Sequence, residues 1–217
     1  MTREAQHSQT GAARKRAPGR PKSRPDATER ERITAQARAL FLTAGYDGTT
    51  MDAVAGRCGI SKRTLYRLFP GKAELFHEMV AEHRRQALAL PRNPREETLD
   101  AALAAIFRLD DATGADEDRI AFLLLAIAEA ERFPDIGRAL RLEGVDPSRR
   151  LLAEWIGAQQ EAGRLRSFPP EAAARMLLDM IFGGQARRFL GDHEWSREQR
   201  VAHAKLCIEL FLAGMAR

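Results

Sequence analysis

From Asp26 to Met215 the apolar residues recur three or four positions apart, in stretches separated by Gly, Pro and Asp. That period lays one stripe along an α-helix and does not alternate across a strand. Only four valines and nine isoleucines stand against 37 alanines and 24 leucines. β-branched side chains lose freedom in a helix and suit a pleated sheet, so this balance also predicts an all-α fold. With 217 residues, 44% of them apolar, the chain can bury one large core or two modest ones. The longest unbroken apolar run, Ile120 to Ala128, is nine residues. A membrane-spanning helix needs ~20, so no span is expected. The first 25 residues lack the apolar segment of a secretory signal, and a cytoplasmic chain is expected. Cys58 and Cys207 form no C-x-x-C spacing, which excludes a disulfide scaffold and a zinc cluster and leaves each as a small packing residue.

Charge is unevenly placed. Residues 1–25 carry a net +6, residues 26–90 a net +2 and residues 91–217 a net −3. A cationic arm before a slightly basic domain and a mildly acidic remainder points to a polyanion at the N-terminal end. From charge alone the arm reads equally well as a solvated, disordered tail.

Helix boundaries follow from capping residues. Asp26 starts a helix whose stripe is Ile33, Ala37, Leu40, Phe41 and Ala44 and which Gly45 ends. Thr50 caps a short helix from Met51 to Arg57, Gly59 makes a sharp turn, and Ser61 caps a third helix from Lys62 to Arg67. A longer helix from Lys72 packs Leu75, Phe76, Met79, Val80 and Ala87 inward and stops at Pro91. Beyond it about six helices are expected: Glu96 to Leu109, Asp116 to Arg132, Pro134 to Leu142, Pro147 to Ala162, Pro170 to Leu190 and Ser196 to Met215. Short turns at Gly114, Gly144 and Gly163 would make successive helices antiparallel, giving a C-terminal helical bundle and nine to ten helices in all.

The segment from Thr50 to Phe69 has helix-turn-helix spacing. Val54, Ile60, Leu65 and Phe69 fall where they bury the angle between the two helices, and Lys62, Arg63, Thr64 and Tyr66 are left outward at the start of the second. An exposed polar helix start of this kind fits the major groove of double-stranded DNA.

These residues, together with Gly19-Arg20-Pro21, Gly45-Tyr46, Thr49-Thr50 and the run Phe69-Pro70-Gly71-Lys72-Ala73-Glu74-Leu75-Phe76, resemble the DNA-binding domain of the TetR/AcrR transcriptional regulators. Ile127-Ala128-Glu129-Ala130-Glu131-Arg132-Phe133-Pro134 and Phe182-Gly183-Gly184 are similar to a subset with an AefR-like C-terminal domain. The resemblance implies a basic arm over residues 1–25, a helix-turn-helix domain over 26–72 with a connecting helix over 72–90, and a ligand-binding and dimerisation domain over 91–217. It implies that Lys62, Arg63 and Thr64 read bases, and that Thr50, Ser61, Tyr66 and Lys72 hold phosphates. Arg63 stands where the family usually has a small residue, and adds either a guanine contact or another phosphate contact. Leu68 stands where an aromatic is commoner, which bears on packing. Arg20 and Lys22, with Arg14, Lys15, Arg16 and Arg24, would follow the minor groove as an arm. Tyr66 also reads as a ring covering the core, and Lys72 as a solvated helix start.

The resemblance further implies a homodimer on an inverted-repeat operator and a ligand-responsive repressor, with activation left open. Leu151, Leu152, Trp155 and Ile156 on one late helix, and Met176, Leu177, Met180, Ile181, Gly183, Gly184 and Phe189 on another, are the expected dimer contacts. Leu103, Phe107, Phe122, Leu125, Phe133 and Trp155 are the expected lining of an effector pocket, with Glu129 or Arg132 as polar partners. That apolar lining favours a hydrophobic small molecule. Both sets read equally well as the subunit's own core. The segment from Pro134 to Leu142 is the expected moving piece between pocket and fourth helix.

No catalytic, metal or cofactor constellation is expected. His77-Glu78 with His83 fails H-E-x-x-H because Ala81 takes the second histidine position, Gly71-Lys72 lacks the rest of a phosphate-binding loop, and Asp110, Asp111, Asp116, Glu117 and Asp118 cluster as a solvated turn would. The alternative class is a helical interaction module whose basic arm binds nucleic acid without regard to sequence. It accounts for the charge but not for the order of residues from Ser61 to Tyr66.

Overall fold

The computed structural model describes residues 26–92, 98–111, 115–186 and 195–215. The basic arm with Arg20 and Lys22, the turn at Gly114, and Phe189 and Leu190 lie outside the described residues. Every regular element among the described residues is helical: α1 (Asp26–Gly48), α2 (Met51–Cys58), α3 (Lys62–Leu68), α4 (Lys72–Ala87), α5 (Leu99–Ile106), α6 (Ala115–Glu129), α7 (Pro134–Ala139), a π-helical segment (Leu140–Val145), α8 (Asp146–Glu161), α9 (Pro170–Ala186) and α10 (Arg197–Met215).

α1 buries Ile33, Ala37 and Phe41. Its path breaks at Gly45, whose φ of 71° and ψ of 178° fall in a region open essentially to glycine alone. Ala44, the expected end of the buried stripe, is exposed at that break. The helix-turn-helix follows the local rules. Thr50 Oγ1 accepts from the Ala53 amide at 3.1 Å and Ser61 Oγ from the Thr64 amide at 3.1 Å. Such caps each contribute about 1 kcal/mol. Gly59 takes the left-handed conformation at φ 62°, so that its own amide and that of Ile60 reach back to the last carbonyls of α2. Val54, Leu65, Leu68 and Phe69 are buried in the angle, with Ile60 half-buried against them.

The C-terminal helices depart from the expected turn at Gly144. α7, the π-helical segment and α8 form one continuous helical path from Pro134 to Glu161. Pro147 has no N–H to return to the Glu143 carbonyl, four residues earlier in the helix. Arg84 of α4 satisfies that oxygen instead, donating from Nε at 3.0 Å. The helix therefore absorbs the proline with a widened turn and does not stop. Gly144 serves packing: a Cβ there would lie 3.4 Å from Val80 Cγ1.

Two apolar cores result among the described residues. One joins α5, α8, α9 and α10 through Leu103, Ile106, Leu152, Ile156, Leu177 and Ile208. The other holds the helix-turn-helix, and it is completed by Phe122 and Ala126 of α6 and Ile136 and Ala139 of α7. Aromatic rings bind these parts together, Phe41 and Phe76 meeting Phe122 at centroid distances of 5.7 and 5.8 Å and Tyr46 meeting Phe133 at 5.1 Å. No helix among the described residues is long and apolar enough to cross a membrane.

Candidate nucleic-acid interface and effector cavity

α3 presents Lys62, Arg63 and Tyr66 to solvent, Tyr66 at 47% exposure, while Leu65 and Leu68 hold the opposite face down. Thr64 is half-buried, its hydroxyl 2.9 Å from that of Ser61. Arg63 makes no ion pair or hydrogen bond among the described residues, so its guanidinium is free for an external acceptor. Lys62 Nζ lies 2.6 Å from Asp52 Oδ2 of α2, and that hydrogen bond raises the lysine pKa above its ordinary value. Both partners are exposed, so phosphate or a base edge can compete for the ammonium.

The orientation of α3 rests on residues that sequence reasoning missed. Arg30 of α1 donates to the Leu68 carbonyl at 2.6 Å and to Glu78 of α4 at 2.8 Å, and its guanidinium lies 4.3 Å from the centre of the Phe69 ring. Arg32 donates to the Cys58 carbonyl at 2.8 Å. The two arginines thus satisfy carbonyls at the C-terminal ends of both helices of the motif. Their spacing on α1 is the signal that was available. Cys58 is buried, which pushes its thiol pKa up and fits a packing residue.

Lys72 is less free than a phosphate contact implies. Its Nζ donates to the Tyr46 carbonyl at 2.8 Å and lies 4.2 Å from the centre of the Tyr46 ring. Three ammonium donors leave two for another acceptor.

The seven expected effector-pocket residues do not line one space. Leu103, Phe107 and Trp155 belong to the C-terminal core, Phe122, Leu125 and Phe133 to the core of the helix-turn-helix. Glu129 is occupied with the Tyr46 amide at 3.2 Å, and Arg132 is an exposed residue 3.6 Å from Asp47. A helix's apolar positions do not say which neighbour they meet, so one list mixed two cores. The structure instead has a cavity of about 250 Å³ between α4, α6, the π-helical segment, α8 and α9. Val80, Leu124, Ile127, Val145, Leu178 and Phe182 give it an apolar wall. A smaller cavity of about 90 Å³ adjoins it, sharing His83, Ala87, Leu123 and Phe182, and includes Phe107.

The expected dimer residues also divide. Leu152 and Ile156 are fully buried inside their own subunit and are corrected to core residues, as are Leu177 and Trp155. Met176 and Gly183 are exposed and Met180 is half-buried; Gly184 lies within α9. α10 adds an apolar stripe that sequence reading missed: Leu206, Leu210 and Ala213 are exposed opposite Ala204, Cys207, Ile208 and Phe211.

An exposed, capped second helix on a packed helix-turn-helix, joined to a larger helical domain with an apolar cavity between its helices, defines a DNA-binding transcriptional regulator. Matches to family models agree: residues 33–79 match bacterial regulatory proteins of the tetR family, and residues 101–216 match the AefR-like transcriptional repressor C-terminal domain. The chain belongs to the TetR family, in the branch with the AefR-like C-terminal domain. An uncharacterised HTH-type transcriptional regulator of Mycobacterium bovis is 24% identical over 160 residues, 68% of this chain and 75% of that protein. A second from M. bovis is 30% identical over 131 residues, 59% of this chain and 61% of its own length. Among solved structures, a regulator assigned to the TetR family from Mesorhizobium loti superposes with a TM-score of 0.68 at 27% identity, over 90% of this chain and 100% of the other. The flavonoid-responsive regulator FrrA gives 0.62 at 26% identity over 88% and 98%.

Proposed function

We propose that the chain is an effector-responsive repressor that binds an inverted-repeat operator as a homodimer. The observation that carries the reading is the free face of α3, with Arg63 and Tyr66 unengaged on a helix anchored at both ends. In this reading Lys62, Arg63 and Thr64 read base edges. Thr50, Ser61, Tyr66 and Lys72 hold phosphates, and Arg20 and Lys22 lie along the minor groove.

Specific binding by one short helix calls for two half-sites about one DNA turn, ~34 Å, apart, read by a two-fold pair. The outward stripes of α9 and α10, with Met176 53%, Leu206 52% and Leu210 60% exposed, support a four-helix contact between subunits. The effector enters the larger cavity, as the flavonoid-responsive neighbour also favours for a small organic molecule. Val80, His83 and Ala87 of α4 form part of its wall, so an occupant bears directly on the helix that follows the DNA-reading motif. His77 contacts Glu143 at 3.2 Å and Arg84 the Glu143 carbonyl, tying α4 to the π-helical segment. The DNA-ready and DNA-incompetent forms then differ in how α4 sits on that segment. An effector shifts the balance only through its differential affinity for the two.

Selection of bound duplexes from a random pool tests the reading. An enriched inverted repeat with a fixed half-site spacing is expected. Retention that depends on salt but not on sequence overturns it.

A further inference from the structure

The smaller of the two adjoining cavities has an unusual wall. Arg108, Arg119, Arg197 and Arg200 all line it, and no carboxylate does among the described residues. Arg197 spends Nη2 on the carbonyls of Leu109 and Asp111, at 3.4 and 2.8 Å, and leaves Nε buried without a partner. Arg108 Nε is likewise buried and unpartnered, while its Nη1 lies 3.7 Å from Asp111 Oδ2 and its Nη2 donates to the Arg85 carbonyl at 3.5 Å. Nδ1 of His83, which lines both cavities, is also buried and unpartnered. Buried polar groups in folded proteins are almost always paired, and the residues that line this one small space carry three that are not.

Arg108 adds a second observation. It occupies the left-handed position after α5, at φ 53°, where its amide and that of Leu109 close the helix onto Ala105 and Ala104. Glycine is the unstrained residue at such a position. The chain places there a long cation that lines the cavity. The neighbouring larger cavity supplies the opposite chemistry, an apolar wall from Val80, Leu124, Ile127, Leu178 and Phe182. Together the two spaces fall at the small end of the ~300–1,000 Å³ range of organic-ligand sites.

We propose that the effector is an amphipathic organic carboxylate, its apolar body in the larger cavity and its charged end in the smaller one against Arg108, Arg197 and His83. This rests on the effector-responsive reading above. A carboxylate oxygen accepts a charge-assisted hydrogen bond from a guanidinium, and the Nε of Arg108 and of Arg197 are the donors left without a partner. Burial lowers the His83 pKa to about 4, with Arg38 and Arg119 adding to the effect, so the ring is neutral at pH 7 and contributes a hydrogen bond without a charge.

The test uses the full chain and three matched pairs: octanoate and octanol, decanoate and decanol, phenylbutyrate and phenylbutanol. Isothermal titration calorimetry is expected to give saturable binding of at least one carboxylate, about tenfold or more tighter than the alcohol of the same skeleton. In Arg108→Gly and Arg197→Gln that preference falls to near unity. Arg108→Gly relieves the left-handed backbone, so its unliganded melting temperature stays the same or rises, which a merely structural role for the arginine would not give. Absence of binding by all three carboxylates, equal binding of acid and alcohol, or a preference untouched by both variants overturns the assignment. Retention of the selected operator by the unliganded chain is measured in parallel. Specific retention with no carboxylate preference overturns the ligand class alone, whereas loss of specific retention overturns the regulator reading beneath it.

Discussion

Glu129 Oε2 accepts a hydrogen bond from the backbone amide of Tyr46 at 3.2 Å, joining the end of α6 to the break in α1 across 83 positions of sequence. The carbonyl of the same Tyr46 accepts from Lys72 at the start of α4. One peptide segment thus connects the helix that walls the cavity to the helix that follows the DNA-reading motif. Gly45 lets the carboxylate approach: a Cβ there would meet Glu129 Oε1 at 3.0 Å. Glu129→Ala is expected to cost about 1–3 kcal/mol in urea denaturation, since it removes a charged acceptor from a part-buried amide, while Glu129→Gln retains most of the stability. Gly45→Ala, strained in backbone as well as crowded, is expected to be at least as damaging as Glu129→Ala.

Arg63→Ala and Tyr66→Phe should leave the melting temperature within about a degree or two, because both side chains are exposed and unengaged. Their effects on DNA differ. Tyr66→Phe weakens all duplexes about equally, whereas Arg63→Ala relaxes preference at one base pair of each half-site, by about 1–3 kcal/mol. Competition binding with single-base operator variants distinguishes them, and an unchanged preference in Arg63→Ala would remove it from the base readers.

Leu206→Glu with Leu210→Glu places like charges on the outward stripe of α10 and spares the core beneath. Sedimentation velocity is expected to show a folded monomer with operator affinity reduced at least a hundredfold. Leu152→Ala behaves in the opposite manner. It lies wholly inside the subunit, so it costs about 2–5 kcal/mol of folding stability and leaves the association of the folded fraction intact.

What the sequence disclosed and what it withheld divide along the range of the forces involved. Thr50, Gly59 and Ser61 cap or turn the chain through contacts with residues a few positions away, so their roles follow from composition and spacing alone. Leu152 and Leu206 are both apolar residues on late helices, yet one is buried and the other exposed. The difference depends on how α8 and α10 rotate about their axes, which only the assembled core decides. Gly144 was expected to end a helix because glycine commonly does; its neighbour Val80 lies 64 positions earlier in sequence, and nothing local announces it. The exposed face of α3 was legible for the same reason as the caps, and the cavity around His83 was not, because its wall is drawn from five elements.

His83 makes stability depend on pH. Its pKa falls from the ordinary 6.5 to about 4 in the fold, chiefly through burial. Between those values the unfolded chain binds a proton that the folded chain refuses. The contribution is therefore complete above about pH 6.5 and declines as pH drops toward 4, by at most about 3 kcal/mol. His83→Phe should flatten the acid side of the stability curve relative to the parent, measured by denaturation at several pH values. Parallel curves would show that the imidazole is not the group responsible.

Gln159 is buried to 1% exposure with both amide atoms lacking a partner, one helical turn from Trp155, whose indole nitrogen is also unpaired. Gln159→Met keeps the length of the side chain and removes the unpaired amide. It is expected to raise stability by about 1 kcal/mol or more, visible as an upward shift of the thermal midpoint.

Because Phe122, Ala126, Ile136 and Ala139 floor the compartment beneath the reading head, the motif cannot be excised at Pro91 without opening that compartment to water. Anyone grafting this operator preference onto a foreign sensor would therefore have to transplant those four side chains, or close equivalents, along with the first ninety residues. The natural seam for a hybrid runs through three-dimensional space and crosses the chain more than once.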